Sequence, residues 1–186
     1  MRIIGGKFKG KKIYFLKNFN TRPLKDSVKE SIFNILNHSN EINISIKDSK
    51  ILDAYSGIGS FGLECISRDA KKVTFIEHNP DAIKILKKNL DTLSISGQAE
   101  LIQNKLENVD FLDKHKKFNI FFFDPPYMMS NFTESLKFIK NKCIHENDHI
   151  VVIHREKKRE EILDQHLKQI IEKKYGRSKI IFGMFR

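Results

Sequence analysis

The chain has 186 residues, 40% of them hydrophobic and 31% charged, with nine glycines and four prolines, a composition that fits one globular unit with a small appendage and excludes fibrous and disordered classes. Its two cysteines, Cys65 and Cys143, stand far apart without clustered ligands, so neither a disulfide framework nor a zinc site is expected. The net charge of +11 is concentrated at the ends: residues 1–30 contribute +7, residues 155–186 contribute +5, and the stretch between is about neutral, a distribution that suits a polyanion such as a nucleic acid.

In chain order, Arg2 to Leu16 (RIIGGKFKGKKIYFL) alternates basic and apolar residues around three glycines, which predicts a short hairpin with its charges outward. TRPLKDSVKESIFNIL follows, and Val28, Ile32, Phe33, Ile35 and Leu36 recur at helical spacing, so one amphipathic helix is expected over about 25–38, with Pro23 near its start. No apolar run approaches the ~20 residues of a membrane helix, and MRIIGGKFKGKK has no apolar signal region. A cytoplasmic protein without a membrane partner is expected. Residues 1–40 are expected to form a basic, substrate-binding extension, and 41–186 the catalytic domain.

Beyond a polar linker, KILDAY, VTFIE, ELIQN, FNIFFFD and HIVVIH have the pattern of buried strands, and SFGLECISRD, NPDAIKILKKNL, LENVDFLDKH and NFTESLKFIKNKC that of intervening helices. This alternation predicts an α/β, Rossmann-like, mostly parallel sheet with helices on both faces. The final LKQIIEKKYGRSKIIFGMFR predicts two strands turning at Tyr175-Gly176-Arg177, an antiparallel hairpin at the sheet edge.

Two stretches carry chemistry. In LDAYSGIGSFGLE, Gly57, Gly59 and Gly62 form a G-x-G-x-x-G frame after a strand, and Glu77 ends the next strand 20 residues beyond Gly57. Such a carboxylate can accept both hydroxyls of a ribose, so the pair suits an adenosine-containing cofactor. Asp53, just before the glycines, would repel a pyrophosphate but can hold an ammonium group, which favours S-adenosylmethionine over a nicotinamide dinucleotide.

The second stretch is Asp124-Pro125-Pro126-Tyr127, at the exit of the fourth strand of the alternation. The prolines stiffen the chain as it leaves the ladder. The Asp124 carboxylate and the Pro125 carbonyl can each accept one N–H of an exocyclic amine, aiming its lone pair at a methyl donor, while Tyr127 can stack on the base. His78 falls in the helix start HNPDA, where Asn79 caps and Pro80 fills the first turn. His154 opens the charged run HREKKREE, expected to be a solvated helix face or an RNA contact, and neither histidine is required as a base.

Through LDAYSGIGSFGLE, VTFIEHNP and DPPY the sequence resembles the class I S-adenosylmethionine-dependent methyltransferases. Through RIIGGKFKGKKI, TRPLKDSVKESIFNIL and KKYGRSKIIF it resembles more narrowly the RsmD-type 16S rRNA guanine-N(2)-methyltransferase family, over nearly the whole chain. The resemblance implies methyl transfer to a guanine amine in 16S rRNA of the assembled or assembling small subunit, by a monomer without a metal. It implies cofactor contacts from Asp53, Ser56, Gly57, Gly59, Glu77 and Asp124, and a catalytic loop from Asp124 to Tyr127. It also implies substrate contacts from Thr21, Arg22 and Pro23, with Lys7, Lys9, Lys11 and Lys12 supplying positive charge. Where the family commonly has an acid and an alanine after the third strand, Asn104 and Lys105 stand here, and Asn104 is the candidate adenine contact. YGRS replaces the usual YGDT-like turn, adding the cation Arg177. The alternatives are a DNA adenine-N(6) methyltransferase, an RNA-binding assembly factor without turnover, and a nicotinamide-dependent dehydrogenase.

Overall fold

The computed structural model describes residues 1–15, 24–111, 117–126 and 128–186. After α1 (Asp26–His38) come β1 (Lys50–Ala54), α2 (Ser60–Ser67), β2 (Lys72–Glu77), α3 (Pro80–Leu93), β3 (Ala99–Gln103), β4 (Phe118–Phe123), α4 (Phe132–Lys142), β5 (His145–Glu156), β6 (Leu167–Tyr175) and β7 (Ser178–Phe185). The strands form one seven-stranded sheet in the order β3-β2-β1-β4-β5-β7-β6. The first five are mutually parallel, whereas β7 runs antiparallel between β5 and β6. The expected C-terminal hairpin therefore forms, with its first strand outermost. The exposed edge of β6 carries Lys168, Lys173 and Lys174, charges that discourage a further strand from pairing there.

Alternation along the strands sorts the phenylalanine run. Phe122 faces α1 and α2, where Phe61 stacks on it at 4.0 Å between ring centroids and Phe33 stacks on Phe61 at 5.3 Å. Phe121 and Phe123 face the other way, meeting Phe185 and Phe132 edge-on at 5.2 and 5.7 Å. Each face of the sheet thus has its own apolar core. Ile3, Ile13, Val28, Ile32 and Leu36 belong to the same core as Phe61 and Phe122, so the N-terminal residues pack directly on the sheet.

The expected N-terminal hairpin forms in compact shape within the described residues 1–15: Arg2 and Lys12 make an antiparallel bridge, the N–H groups of Ile3, Gly10 and Ile13 donate to the carbonyls of Lys11, Ile3 and Met1 at 3.0, 2.9 and 3.1 Å, and Gly6–Phe8 forms a 3-10 turn between them. Buried side chains of α2 fasten it to the sheet. Glu64 accepts N–H bonds from Ile4 and Gly5 at 2.9 and 2.7 Å, and the Ser67 hydroxyl accepts one from Phe8 at 2.9 Å. Glu64 is paired in turn with Arg68 at 3.1 Å and with fully buried Lys29 at 3.8 Å, and Lys29 donates to the Arg2 carbonyl. The segment LENVDFLDKH gives a 3-10 turn at Leu106–Asn108 and no α-helix among its described residues. Leu106 and Val109 both turn into the core on the α4 side.

Gly62 lies where α2 crosses β2: a Cβ there would stand 2.2 Å from Phe75 Cε1 and 2.8 Å from Val73 Cγ1. Gly62→Ala is expected to cost about 1–3 kcal/mol of stability through overpacking, seen as a lower urea midpoint with an unchanged m-value.

Candidate active site

The site gathers at the carboxyl ends of β1, β2 and β4, where ligands bind in open α/β sheets. Asp53 is 1% exposed, and its Oδ2 accepts the Gly62 N–H at 2.9 Å. Burial pushes its carboxyl well above the ordinary aspartate range; the Gly62 hydrogen bond opposes that, and the nearby charges of Asp124 and Glu77 add to it. Glu77 accepts N–H groups from Gly57 at 2.7 Å and from His78 and Asn79 at 2.8 Å each. The glycine loop is thereby tied to the end of β2. Among the described residues no group of three or more His, Cys, Asp or Glu side chains could hold a metal ion.

The three glycines do different work. Gly57 has φ +55°, and a Cβ on it would meet nothing within 4 Å, so its face opens toward the space beside the loop. Gly59 has φ +85°, and a Cβ there would lie 2.5 Å from Leu86 of α3; its bareness serves packing as well as the turn. Gly62 packs on β2 as described. Tyr55, with a positive φ of 62°, precedes the loop and is braced by a 2.6 Å hydrogen bond between its hydroxyl and that of Ser135. Ser56 continues the ladder through its N–H to the Ile76 carbonyl at 3.0 Å, and its buried Oγ has no hydrogen-bond partner among the described residues.

Asn89, 1% exposed on α3, joins this loop to the N-terminal segment. Its amide accepts the Tyr14 N–H at 2.8 Å and donates to the carbonyls of Tyr14 and Ile58 at 3.1 and 3.2 Å. Tyr14 and Phe15 remain 43% exposed, and Lys88 lies over the Tyr14 ring at 3.7 Å. Lys7, Lys9, Lys11 and Lys12 are all exposed. Lys7 is partly engaged, at 3.6 Å from Asp69.

Asp124 leaves β4 with its side chain 24% exposed and its Oδ1 2.8 Å from Nδ1 of His154. This corrects the expectation for His154, which lies on β5 at 5% exposure and not on a solvated helix. Arg155, beside it, is fully buried. Its guanidinium donates to the carbonyls of Pro126 and Met129 at 3.2 and 2.8 Å and to Glu161 through Nε, at 2.8 Å, and Nη2. The Met129 N–H also donates to the Pro126 carbonyl, at 2.9 Å. Sequence reasoning missed Arg155 as a clamp on the segment that follows β4.

Asn79 caps α3 as expected, accepting the N–H groups of Asp81 and Ala82 at 3.0 Å, with Pro80 in the first turn. Asn104 sits just after β3, its amide accepting the Lys105 N–H at 2.8 Å and donating to the Asn108 carbonyl at 3.3 Å. Thr21, Arg22, Pro23 and Tyr127 lie outside the described residues. No described helix is long and apolar enough to cross a membrane.

Comparison with known proteins agrees along the whole chain. The ribosomal RNA small subunit methyltransferase D of Buchnera aphidicola (subsp. Baizongia pistaciae) is 32% identical over 187 aligned residues, 100% of this chain and 91% of that protein. The protein of the same name from Haemophilus influenzae is 41% identical over 131 residues, 68% of this chain and 64% of the relative, so that alignment spans just under two thirds of its length. Among solved structures, the Escherichia coli protein yhhF, described as a methyltransferase, superposes with a TM-score of 0.81 at 27% identity, covering 100% of this chain and 97% of that one. A Haemophilus influenzae protein described as a methylase gives 0.74 at 30% identity, covering 98% and 96%. The model of the family described as conserved hypothetical protein 95 matches residues 1–184. This chain therefore belongs to the conserved hypothetical protein 95 family, the family of the ribosomal RNA small subunit methyltransferase D proteins.

Proposed function

We propose that this protein transfers a methyl group from S-adenosylmethionine to N(2) of a guanine in 16S rRNA, acting as a cytoplasmic monomer on the assembled or assembling small subunit. The observation that carries this is the placement of Asp124, at the rigid exit of β4, in the same charge field as Asp53 and Glu77 beside the glycine loop. Residues 1–40 serve as the substrate-facing extension and 41–186 as the catalytic domain.

The residues present suit the cofactor. Mutually repelling carboxylates favour a cationic ligand, the Ser56 hydroxyl is buried with no partner among the described residues, and the bare Gly57 leaves room for close approach. Asp53 and Ser56 would hold its amino-acid end, Gly57 and Gly59 its middle, Glu77 its ribose and Asn104 its adenine. When bound, S-adenosylmethionine supplies an electrophilic methyl on a sulfonium. Asp124 and the Pro125 carbonyl each accept an N–H of the amine, which fixes its lone pair in line. Asp124 then takes the proton that the nitrogen sheds. Tyr127 stacks on the base, offsetting part of the cost of unstacking it, while Thr21, Arg22 and Pro23 close over it. Lys7, Lys9, Lys11 and Lys12 meet the phosphates.

Asp124→Ala is expected to lower transfer by about 100-fold or more, the usual loss when one group that stabilises a transition state is removed. Labelled-methyl transfer to small subunits, free rRNA and DNA, followed by nucleoside identification, checks both points. Methyladenine in DNA, or undiminished transfer by the variant, would overturn the proposal.

Burial raises the Asp53 pKa in the folded chain, so between the ordinary aspartate value and the raised one the folded state binds more protons than the unfolded. Stability therefore falls as pH rises through that window. Asp53→Asn keeps an acceptor for Gly62 while removing the charge. At neutral pH it is expected to raise the melting temperature of the ligand-free protein, by roughly 2–4 °C per kcal/mol recovered, and to weaken S-adenosylmethionine binding in calorimetry.

Replacing Lys7, Lys9, Lys11 and Lys12 together by Ala is expected to flatten the dependence of RNA affinity on log salt by about 2–3, since each lost phosphate contact removes roughly 0.7–0.9 and Lys7 is partly committed to Asp69. Binding titrations between low and physiological salt measure this slope.

A further inference from the structure

His154 and Arg155 grip the Asp124 segment from opposite faces of the sheet. In the parallel pairing of β4 with β5, Phe123 stands beside Ile153; one residue further, Asp124 comes beside His154 on the face shared by Phe122 and Val152. Arg155, on the other face, holds the carbonyls of Pro126 and Met129. The backbone is thus clamped by the guanidinium, and the carboxylate by the imidazole at 2.8 Å.

A carboxylate that must receive an amine N–H works best when one oxygen is fixed and the other is free to be aimed. His154 engages Oδ1, and the carboxylate is only 24% exposed, so water competes weakly for that contact. We propose that His154 is a positioning residue for Asp124, donating Nδ1–H to Oδ1 so that Oδ2 faces the amine. The assignment rests on Asp124 being the amine acceptor proposed above.

The test is single-turnover methyl transfer over a range of RNA concentrations at saturating cofactor. His154→Leu is expected to lower the maximal rate by about 10–100-fold, in line with loss of a group that orients a reacting partner, with little change in the RNA concentration that gives half of it. His154→Asn puts an amide N–H where Nδ1–H stood, and it is expected to recover about tenfold over the leucine variant, a partial restoration of the same orienting contact. A wild-type rate in His154→Leu, or no recovery in His154→Asn, overturns the assignment. If the leucine variant does not fold, as thermal melting would show, the imidazole resonance described below decides alone. Should the wild type methylate no RNA, the proposed function fails, and the contact is judged separately. A slowly exchanging imidazole N–H resonance of His154, present in wild type and lost in Asp124→Ala, supports it; its persistence in that variant refutes it.

Discussion

Bringing three carboxylates to neighbouring strand ends, one of them fully buried, is the constraint around which this fold is arranged. Asp53, Glu77 and Asp124 repel one another where water cannot screen them well, so each needs donors supplied by the protein. Gly62 serves Asp53; Gly57, His78 and Asn79 serve Glu77; His154 serves Asp124. The tight approach of α2 to β2 puts the Gly62 N–H on Asp53, and the left-handed turn at Gly57 puts its N–H on Glu77. A backbone shaped by close packing thus supplies the electrostatic compensation. What remains after that compensation is an unbalanced negative field, suited to a cation.

Around this centre, buried ion pairs do the work of register. The pair of Glu64 with Arg68, extended by Lys29, stands where the N-terminal residues dock, and that of Arg155 with Glu161 where the chain leaves β4. Desolvation makes such pairs weak contributors to net stability, but breaking one by removing a partner is costly. Alternative placements that would leave Arg155 without the loop carbonyls or without Glu161 are therefore strongly disfavoured. An irregular segment rich in proline gains by this route a definition that ladder hydrogen bonds do not give it.

The sheet, its crossovers and the C-terminal hairpin were legible because apolar strands between turn signals leave few alternatives. The identity of the acid-bearing positions was also legible, since strand ends followed by glycine or proline locate them. LENVDFLDKH misled because its leucine, valine and phenylalanine can mimic a helical stripe over a stretch too short to average out; the pull of Leu106 and Val109 into the core won over propensity. RIIGGKFKGKK gave away its turn but not its anchor: the side chains that fasten it lie about 60 residues away on Glu64 and Ser67, and no local pattern carries that information. His154 and Arg155 were hidden by composition. In a run as charged as HREKKREE, solvent is the ordinary destination of a cation, and only the pairing of β5 with β4 and β7 shows that its first two residues are enclosed.

Asn89 shows how the two halves of the site are kept in one frame. A buried amide has one acceptor and two donor positions to satisfy, and here it spends them on the Tyr14 N–H, the Tyr14 carbonyl and the Ile58 carbonyl. Ile58 lies between Gly57 and Gly59, and Tyr14 belongs to the basic, aromatic segment that follows Lys7, Lys9, Lys11 and Lys12. Movement of that segment away from α3 would strip a 1%-exposed amide of two of its three partners, a cost comparable to losing two buried hydrogen bonds at once. The basic segment proposed to meet RNA and the loop proposed to hold the cofactor are consequently fixed to the same helix. Their relative position is set before either ligand arrives, the condition under which binding energy can be used for alignment rather than for ordering the protein.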